Sequence, residues 1–495
     1  IEKIKNFAQQ ANNCFSKSSN SFDKEWKEFD KIMTKNNISR KECLLLPINT
    51  MFDALNKKSS GALAMDLEPI EHSELNQDFK GWPKGVGDKK ISCIQDQGWN
   101  LLNGDLPLPV ATLKQSVMEN NSRWMQLFAE KFGARISPHG KTTMAPQLFH
   151  RQLEDGAWAI TVATVHQMRL CRKWGIKKVL MANQVVGQQN LRELCLELRE
   201  DPEFDFYLLA DSCENVDQLA EAAKKHGLSK PIQILVELGF PGGRTGCRNV
   251  ELAMEVAKRV KSHNPFLVLR GVEGYEALLR KQPEPEKSIR EFLVELNLLA
   301  KKCAEMGLFG DGAVILSAGG SDFFDLVLEH LEAPSGKHEV VRVIRSGCYL
   351  THDSLNYKRI FEKIRKRCPE ADQLPPGLKP SLQVWGAIQS LPEPGLAIVN
   401  VGKRDISYDA ELPIPEAFFR PGKDDKPLNM PDGSRVTELN DQHAYVELTS
   451  EMDLTVGDMM AFGISHPCTT FDKWRLMYLL DDDYRVTGGI RIYMS

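Results

Sequence analysis

Residues 135–146 read RISPHGKTTMAP. A short apolar entry at Ile136 is stopped by Pro138; a histidine, a glycine and one lysine follow, and an amphipathic segment opens near Met144. In an α/β protein this is a strand breaking into a loop, the place where such folds put their chemistry. Lys141 is then held at the rim of a pocket. Partial burial lowers a lysine pKa and makes the amine a usable nucleophile toward an aldehyde. A surface lysine in a βα loop fits the same residues, so the decision falls to the rest of the chain.

Outward from this stretch a rhythm runs. Apolar strand-like runs lie at 135–137, 158–163, 178–182, 204–209, 232–238, 267–272, 313–316 and 340–344, and most are followed by helical patterns such as 215–225, 250–262, 289–306 and 323–331. Eight βα repeats with short loops predict an α/β fold with a (β/α)8 barrel, placed at 93–373 with LPLPVATL (106–113) and a helix over 114–132 at its start. A doubly wound open sheet has the same periodicity, which does not reveal closure. The proline-rich LPPGLKP (374–380) ends the rhythm, and the runs at 382–388, 396–401, 444–448, 459–464 and 476–480 with turns such as PDGS and TGG predict an antiparallel β domain over 374–495. Ile490 and Ile492 alternate with Arg491 and Tyr493, the pattern of a last strand with one face on a core. Residues 1–92 read as an N-terminal extension. Phe22, Trp26, Phe29, Ile32 and Met33 predict an amphipathic helix over 21–35, and the polar stretch 56–90 predicts an extended connection.

With 495 residues, 42% hydrophobic and 26% charged, the chain has the composition of a soluble globular protein of two or three domains. A net charge of -4 argues against nucleic-acid and anionic-membrane partners, and no apolar run approaches a membrane span. Eleven cysteines without a CxxC pair suggest neither a zinc finger nor a disulfide framework, and point to a reducing, cytoplasm-like compartment.

Several stretches carry candidate chemistry. In a barrel the loops after the last two strands often hold a phosphorylated ligand. Here they are SAGGSD (Ser317 to Asp322) and RSGCYLTHD (Arg345 to Asp353), with small residues that let backbone N–H groups approach an anion; ordinary turns fit them as well. GFPGGRTGCR presents Arg244 on a glycine-rich bend, suited to an anion, to a heterocycle nitrogen or to a carboxylate bridge. GVEGY places Tyr275 past the sixth strand, lining the pocket, donating to substrate or simply packed. In ISHPCTTFDKW, His466 and Cys468 are two apart; on a strand they point to one side, and soft N and S donors favour zinc. Two ligands are fewer than the three usual in catalytic zinc sites, so water and substrate complete such a shell.

Together, PHGKTTMAPQLFHRQL (138–153), MANQ (181–184), RSGCYL (345–350) and HPCTTFDKW (466–474) resemble the D-threonine aldolase and D-serine dehydratase group of fold-type III pyridoxal-phosphate enzymes, distantly similar to alanine racemases. The resemblance covers about residue 98 to the C-terminus. It implies a barrel binding pyridoxal 5'-phosphate, a β domain, and a homodimer with active sites between subunits. Lys141 matches the Schiff-base lysine, with His139 and Tyr275 as further catalytic candidates. Arg244, Ser317, Gly319, Gly320, Ser321, Gly347, Cys348 and Tyr349 match the cofactor cradle, and His466 with Cys468 the pair for Zn2+ or another divalent cation. In this group HxC resembles the zinc-dependent D-serine dehydratases and HxD the D-threonine aldolases. Cys468 therefore implies dehydration and deamination of a D-serine-like substrate to a 2-keto acid and ammonia. Retro-aldol cleavage to glycine and an aldehyde is the alternative, and a racemase or a non-catalytic pyridoxal-phosphate carrier are others. Nothing in the resemblance explains the N-terminal extension.

Overall fold

The computed structural model describes residue 27 and residues 65–494, apart from 335, 337, 450 and 451. The helix expected over 21–35 therefore lies outside the described residues, save for Lys27. We label the strands β1 Val110–Lys114, β2 Arg135–Ile136, β3 Ile160–Val162, β4 Lys178–Gln184, β5 Asp205–Ala210, β6 Ile232–Leu238, β7 Leu267–Gly274, β8 Val314–Ala318 and β9 Val340–Ile344.

Strands β2 to β9 form one parallel eight-stranded sheet, each hydrogen-bonded to the next in sequence from β3 onward, with β9 beside β2. Closure comes from short contacts between the first and second strands. The Trp158 N–H donates to Ile136 O and the Thr161 N–H to Pro138 O, both at 2.8 Å, and the Ser137 and Thr161 hydroxyls meet at 2.7 Å. The sheet is a closed barrel, and the open doubly wound alternative falls away. Each of these strands leads to a helix, the last four being Val250–Ser262, Pro285–Glu305, Phe324–His330 and Asn356–Arg367. Local chemistry starts several of the helices: Thr164, Ser212 and Asn249 each accept a first-turn N–H on their side chains, and Pro146 opens Pro146–Glu154. Inside the barrel Leu180, Tyr207, Leu209, Leu235, Ile315 and Val343 form a closed apolar plug.

Beyond the barrel, β10 Leu382–Glu393, β11 Leu396–Val399, β12 Ile414–Phe419, β13 Leu428–Asn429, β14 Arg435–Leu439, β15 Ala444–Glu447, β16 Met459–Gly463, β17 Leu476–Leu480 and β18 Val486–Arg491 make the antiparallel domain. The strand β1, which precedes the barrel in sequence, belongs to this sheet: it runs antiparallel to β10 and parallel to β17. Its four buried residues satisfy the rule for a strand covered on both faces, which is why VATL reads like a barrel strand. Residues 65–92 are not an extended polar connection either. Ile70, Leu75, Phe79 and Trp82 are buried, Tyr478 donates to Gly81 O at 2.9 Å, and the Lys80 ammonium sits 3.7 Å above the Trp474 ring. Among the described residues no helix is long and apolar enough to cross a membrane, and the nine described cysteines are unpaired.

Candidate active site

A cavity of about 310 Å³ lies at the C-terminal ends of the barrel strands, closed on one side by the β domain. Its walls include His139, Lys141, Arg244, Tyr275, Gly319 to Ser321, Gly347, Cys348, His466 and Cys468. The sequence-predicted residues therefore converge, with two exceptions. The hydroxyl of Ser317 is turned to Val343 O at 3.0 Å and takes a bond from Arg345, and the Tyr349 phenol accepts from Gln152 at 3.0 Å. Both side chains are buried in the framework behind the cavity rather than in its wall. A larger hollow of about 720 Å³ opens at the other end of the barrel, at strand starts such as Asp205, Ile232 and Leu267. Barrel enzymes place their chemistry at the C-terminal end, and none of the predicted site residues lies there.

Lys141 is on a one-turn segment, Gly140–Thr142, after β2. Its side chain is exposed to the open cavity, not half-buried as the sequence suggested, and its amine makes no hydrogen bond or ion pair among the described residues. Beyond it the chain enters its helix through Met144 in the left-handed region at φ 42°, uncommon for a side chain of that size. The loop carrying Gly347 closes directly on this segment: a Cβ at Gly347 would stand 2.6 Å from Thr142 Oγ1 and 2.7 Å from His139 O. Burial, then the charges of Lys141, Arg345 and Arg244, hold the His139 imidazole neutral by driving its pKa well below the usual value. Its Nδ1 is buried with no hydrogen-bond partner. Arg244 lies over the Tyr275 ring at 5.2 Å, and burial pushes the Tyr275 phenol up to about 12.

The floor is a buried charge network that the sequence reading missed. Arg345 and Glu273, 5% and 1% exposed, pair at 2.7 Å off the hydrogen-bond direction, while Arg345 donates to Gly274 O at 3.1 Å. Burial raises Glu273 to about 8 against the pull of Arg345. Glu237 accepts from Gln184 and, at 2.7 Å, from Thr245. The N–H groups of Gly319 and Gly320 both donate to the Glu276 carboxylate.

His466 and Cys468 are not on a strand. His466 has extended geometry and caps the short helix Pro467–Phe471, so Cys468 sits in its first turn. The two side chains still meet, within hydrogen-bond reach of one another, because the chain turns at Pro467 rather than because of period-two alternation. The Cys468 sulfur also lies 3.6 Å from Thr142 Oγ1 and within reach of the Cys348 thiol. The field of these partners holds the Cys468 sulfur toward its thiolate and Cys348 toward its thiol. His466 Nδ1 is 2.6 Å from Asp409 Oδ2, and Thr469 donates to the other carboxylate oxygen at 2.6 Å. A carboxylate on Nδ1 fixes the ring so that Nε2 faces outward, the usual support of a metal-binding histidine. Among the described residues no group of three acidic, histidine or cysteine side chains could hold an ion; an ion held by this pair would keep open positions. Asp409, 57 residues before its partner, carried no signal in sequence. The residues present fit both groups: an imidazole and a thiolate for a borderline-soft ion, and for a phosphorylated aldehyde a free amine beside a glycine-lined cradle that a Cβ would fill.

Two family models match, an alanine racemase N-terminal domain over residues 114–322 and a serine dehydratase domain over 381–480. The barrel is thus similar to an alanine racemase N-terminal domain, and the β domain to a serine dehydratase domain. Among whole-chain relatives, the 3-hydroxy-D-aspartate aldolase of Paracoccus denitrificans (strain Pd 1222) is 24% identical over 375 residues, 75% of this chain and 86% of the relative. By structure, D-threonine aldolase from Filomicrobium marinum superposes with a TM-score of 0.63 at 20% identity, covering 80% of this chain and 96% of that one. D-threo-3-hydroxyaspartate dehydratase from Delftia sp. HT23 gives 0.61 at 19%, covering 80% and 99%, and a variant of such a dehydratase is known in a metal-free form. At these identities the structural likeness establishes the fold.

Proposed function

We propose that this chain is a pyridoxal-phosphate-dependent, zinc-assisted lyase of D-3-hydroxy amino acids, which dehydrates and deaminates a D-serine-like substrate to a 2-keto acid and ammonia. The observation that carries the reading is the meeting of Lys141 with the Asp409-supported His466 and Cys468 across one cavity. The relatives, a hydroxyaspartate aldolase and a D-threonine aldolase, support lyase chemistry at the Cα–Cβ unit of a D-amino acid.

When bound, pyridoxal phosphate supplies an electron sink for negative charge at the substrate Cα, and a divalent ion lowers the pKa of the oxygen it holds. Lys141 would tether the cofactor and move the Cα proton on its Nζ. Arg244, over the Tyr275 ring in the cavity wall, would help hold the heterocycle and keep its nitrogen unprotonated. His139, held neutral among three cations, adds no further positive charge to the cavity. His466 and Cys468 would hold the ion, with Asp409 fixing the imidazole.

The test is to incubate the purified protein with D-serine and with D-threonine, with and without zinc, and to assay keto acid against glycine plus aldehyde. Keto acid from D-serine that disappears on chelation and in Cys468→Ala supports dehydration; keto acid surviving Cys468→Ala removes the reason for preferring it. Glycine and aldehyde as the only products would favour retro-aldol cleavage, the reading that the names of the relatives support. Independently of turnover, the visible absorbance of added pyridoxal phosphate bound to the chain is expected to vanish in Lys141→Ala.

A further inference from the structure

The turn after β8 does not offer all its backbone donors to a ligand. The N–H groups of Gly319 and Gly320 both point at one carboxylate, that of Glu276, at 2.8 and 2.9 Å. Glu276 is 0% exposed. Burial raises its pKa, and the N–H groups of Gly320 and Gly319 together with the field of Arg345 oppose that rise. A carboxylate bonded twice to buried N–H groups is a firm contact, since losing it would leave both donors without a partner. The turn also has no room to slide. Gly319 is in the left-handed region at φ 107°, and a Cβ at Gly320 would stand 3.0 Å from both Ala277 and the Tyr275 ring.

One residue further on, the donors are free. The N–H groups of Ser321, Gly347 and Cys348 make no hydrogen bond among the described residues, and all three residues line the cavity. The two loops touch there, with the Ser321 hydroxyl within reach of the Cys348 thiol. Three unmet backbone donors thus belong to residues of two loops that line one cavity, next to two donors already held by a buried acid.

We propose that Glu276 is a positioning residue for the cofactor phosphate: an internal anion that seats the 319–320 turn and leaves the phosphate to the N–H groups of Ser321, Gly347 and Cys348. The inference rests on the reading that the ligand is pyridoxal phosphate. It also shifts the expected cradle, since the glycines that look like phosphate binders in sequence are taken by the chain itself. Removing the carboxylate leaves two buried N–H groups unmet, so the turn relaxes and carries the Ser321 donor away. The loss falls on the phosphate and spares the pyridine ring and the Lys141 amine.

The experiment is a titration of the full-length chain, stripped of cofactor, with pyridoxal phosphate and with pyridoxal, for the parent, Glu276→Gln and Glu276→Ala, with thermal melts alongside. In the parent, pyridoxal phosphate is expected to bind at least about 100-fold more tightly than pyridoxal, because several N–H bonds to an anion are at stake. Glu276→Ala should cut that ratio about 10-fold or more while leaving pyridoxal affinity within about 2-fold, the size expected for losing one charge-assisted bond. Glu276→Gln keeps one carbonyl acceptor and should fall between. A ratio unchanged or raised in the variants overturns the proposal whatever the melting temperatures do, because a purely structural role moves both ligands together. Should Glu276→Ala fail to fold, Glu276→Gln decides. A parent chain that binds pyridoxal phosphate with an unchanged variant ratio sinks this inference alone; a parent that binds neither compound sinks the cofactor reading and this inference with it.

Discussion

At the scale of single residues, the site is built from partners that are distant in sequence. Asp409 holds His466 Nδ1 at 2.6 Å, and outer-shell carboxylates of this kind typically change metal affinity by about 10–100-fold. Asp409→Asn is therefore expected to weaken zinc binding by that factor, measured by competition with a chromophoric chelator; unchanged affinity would show that the carboxylate serves Thr469 instead. His352 is a second case. It is buried, sits at φ 56° with its Nδ1 on Asp353 O at 2.7 Å, and burial lowers its pKa from 6.5 to about 4. The unfolded chain takes up this proton below pH 6.5 while the folded one refuses it until about pH 4. Its contribution is thus complete above pH 6.5 and lost as pH falls through that window, by about 3 kcal/mol at 1.36 kcal/mol per unit. Asp353, raised to about 6 by burial, works in the opposite direction over the same range, so the measurement is a difference. Asparagine tolerates the left-handed backbone, and the stability gap between parent and His352→Asn in urea should shrink by about that amount between pH 6.5 and 4. A pH-independent gap would show that His352 is not buried as the neutral imidazole.

At the scale of elements, the barrel strands were legible because most are apolar runs, β3, β6 and β8 being buried almost throughout, and β6 and β9 have the bounds that their hydrophobic residues suggest. Register was not legible. Gly271 is paired with Ile315, and a Cβ there would lie 1.9 Å from the Ile315 carbonyl oxygen. Gly271→Ala must push β7 and β8 apart, and is expected to cost about 3 kcal/mol or more of unfolding free energy, read from urea titration; a loss under about 0.5 kcal/mol would mean that the strands separate freely there. The strands missed in sequence have their own reason. In β12, IPEAFF, Pro415 cannot donate to a ladder and the pairing with β16 shifts register beside it, so the run lacks the alternation that marks a strand. The HxC pair shows the converse: a correct expectation of convergence, reached through strand geometry that the helix start at Pro467 replaces.

At the scale of the whole molecule, the β domain is not a contiguous piece of chain. β10 pairs with β1 along four residues, and β17 lies between β1 and β18. Asn121, on the helix after β1, ties the two halves by donating to Leu350 O and Lys379 O at 3.0 and 2.7 Å. A fragment of residues 381–480, the span of the serine dehydratase match, loses β1 and β18 and exposes the edges they cover. It is expected to show no cooperative melt by circular dichroism, and a sharp transition would overturn the interdependence. By itself the sequence determined the alternation of strands and helices, the lysine after the first barrel strand, the glycine-rich loops at the last two, and the histidine and cysteine of the β domain, because these are carried by local periodicity and short motifs. Only the tertiary structure decided that the sheet closes, that β1 crosses to the other domain, that Asp409 stands behind His466, and that Glu276 fills the glycine turn. Those are contacts between residues tens to hundreds of positions apart, where burial and unmet hydrogen bonds choose the partner and no local pattern records the choice.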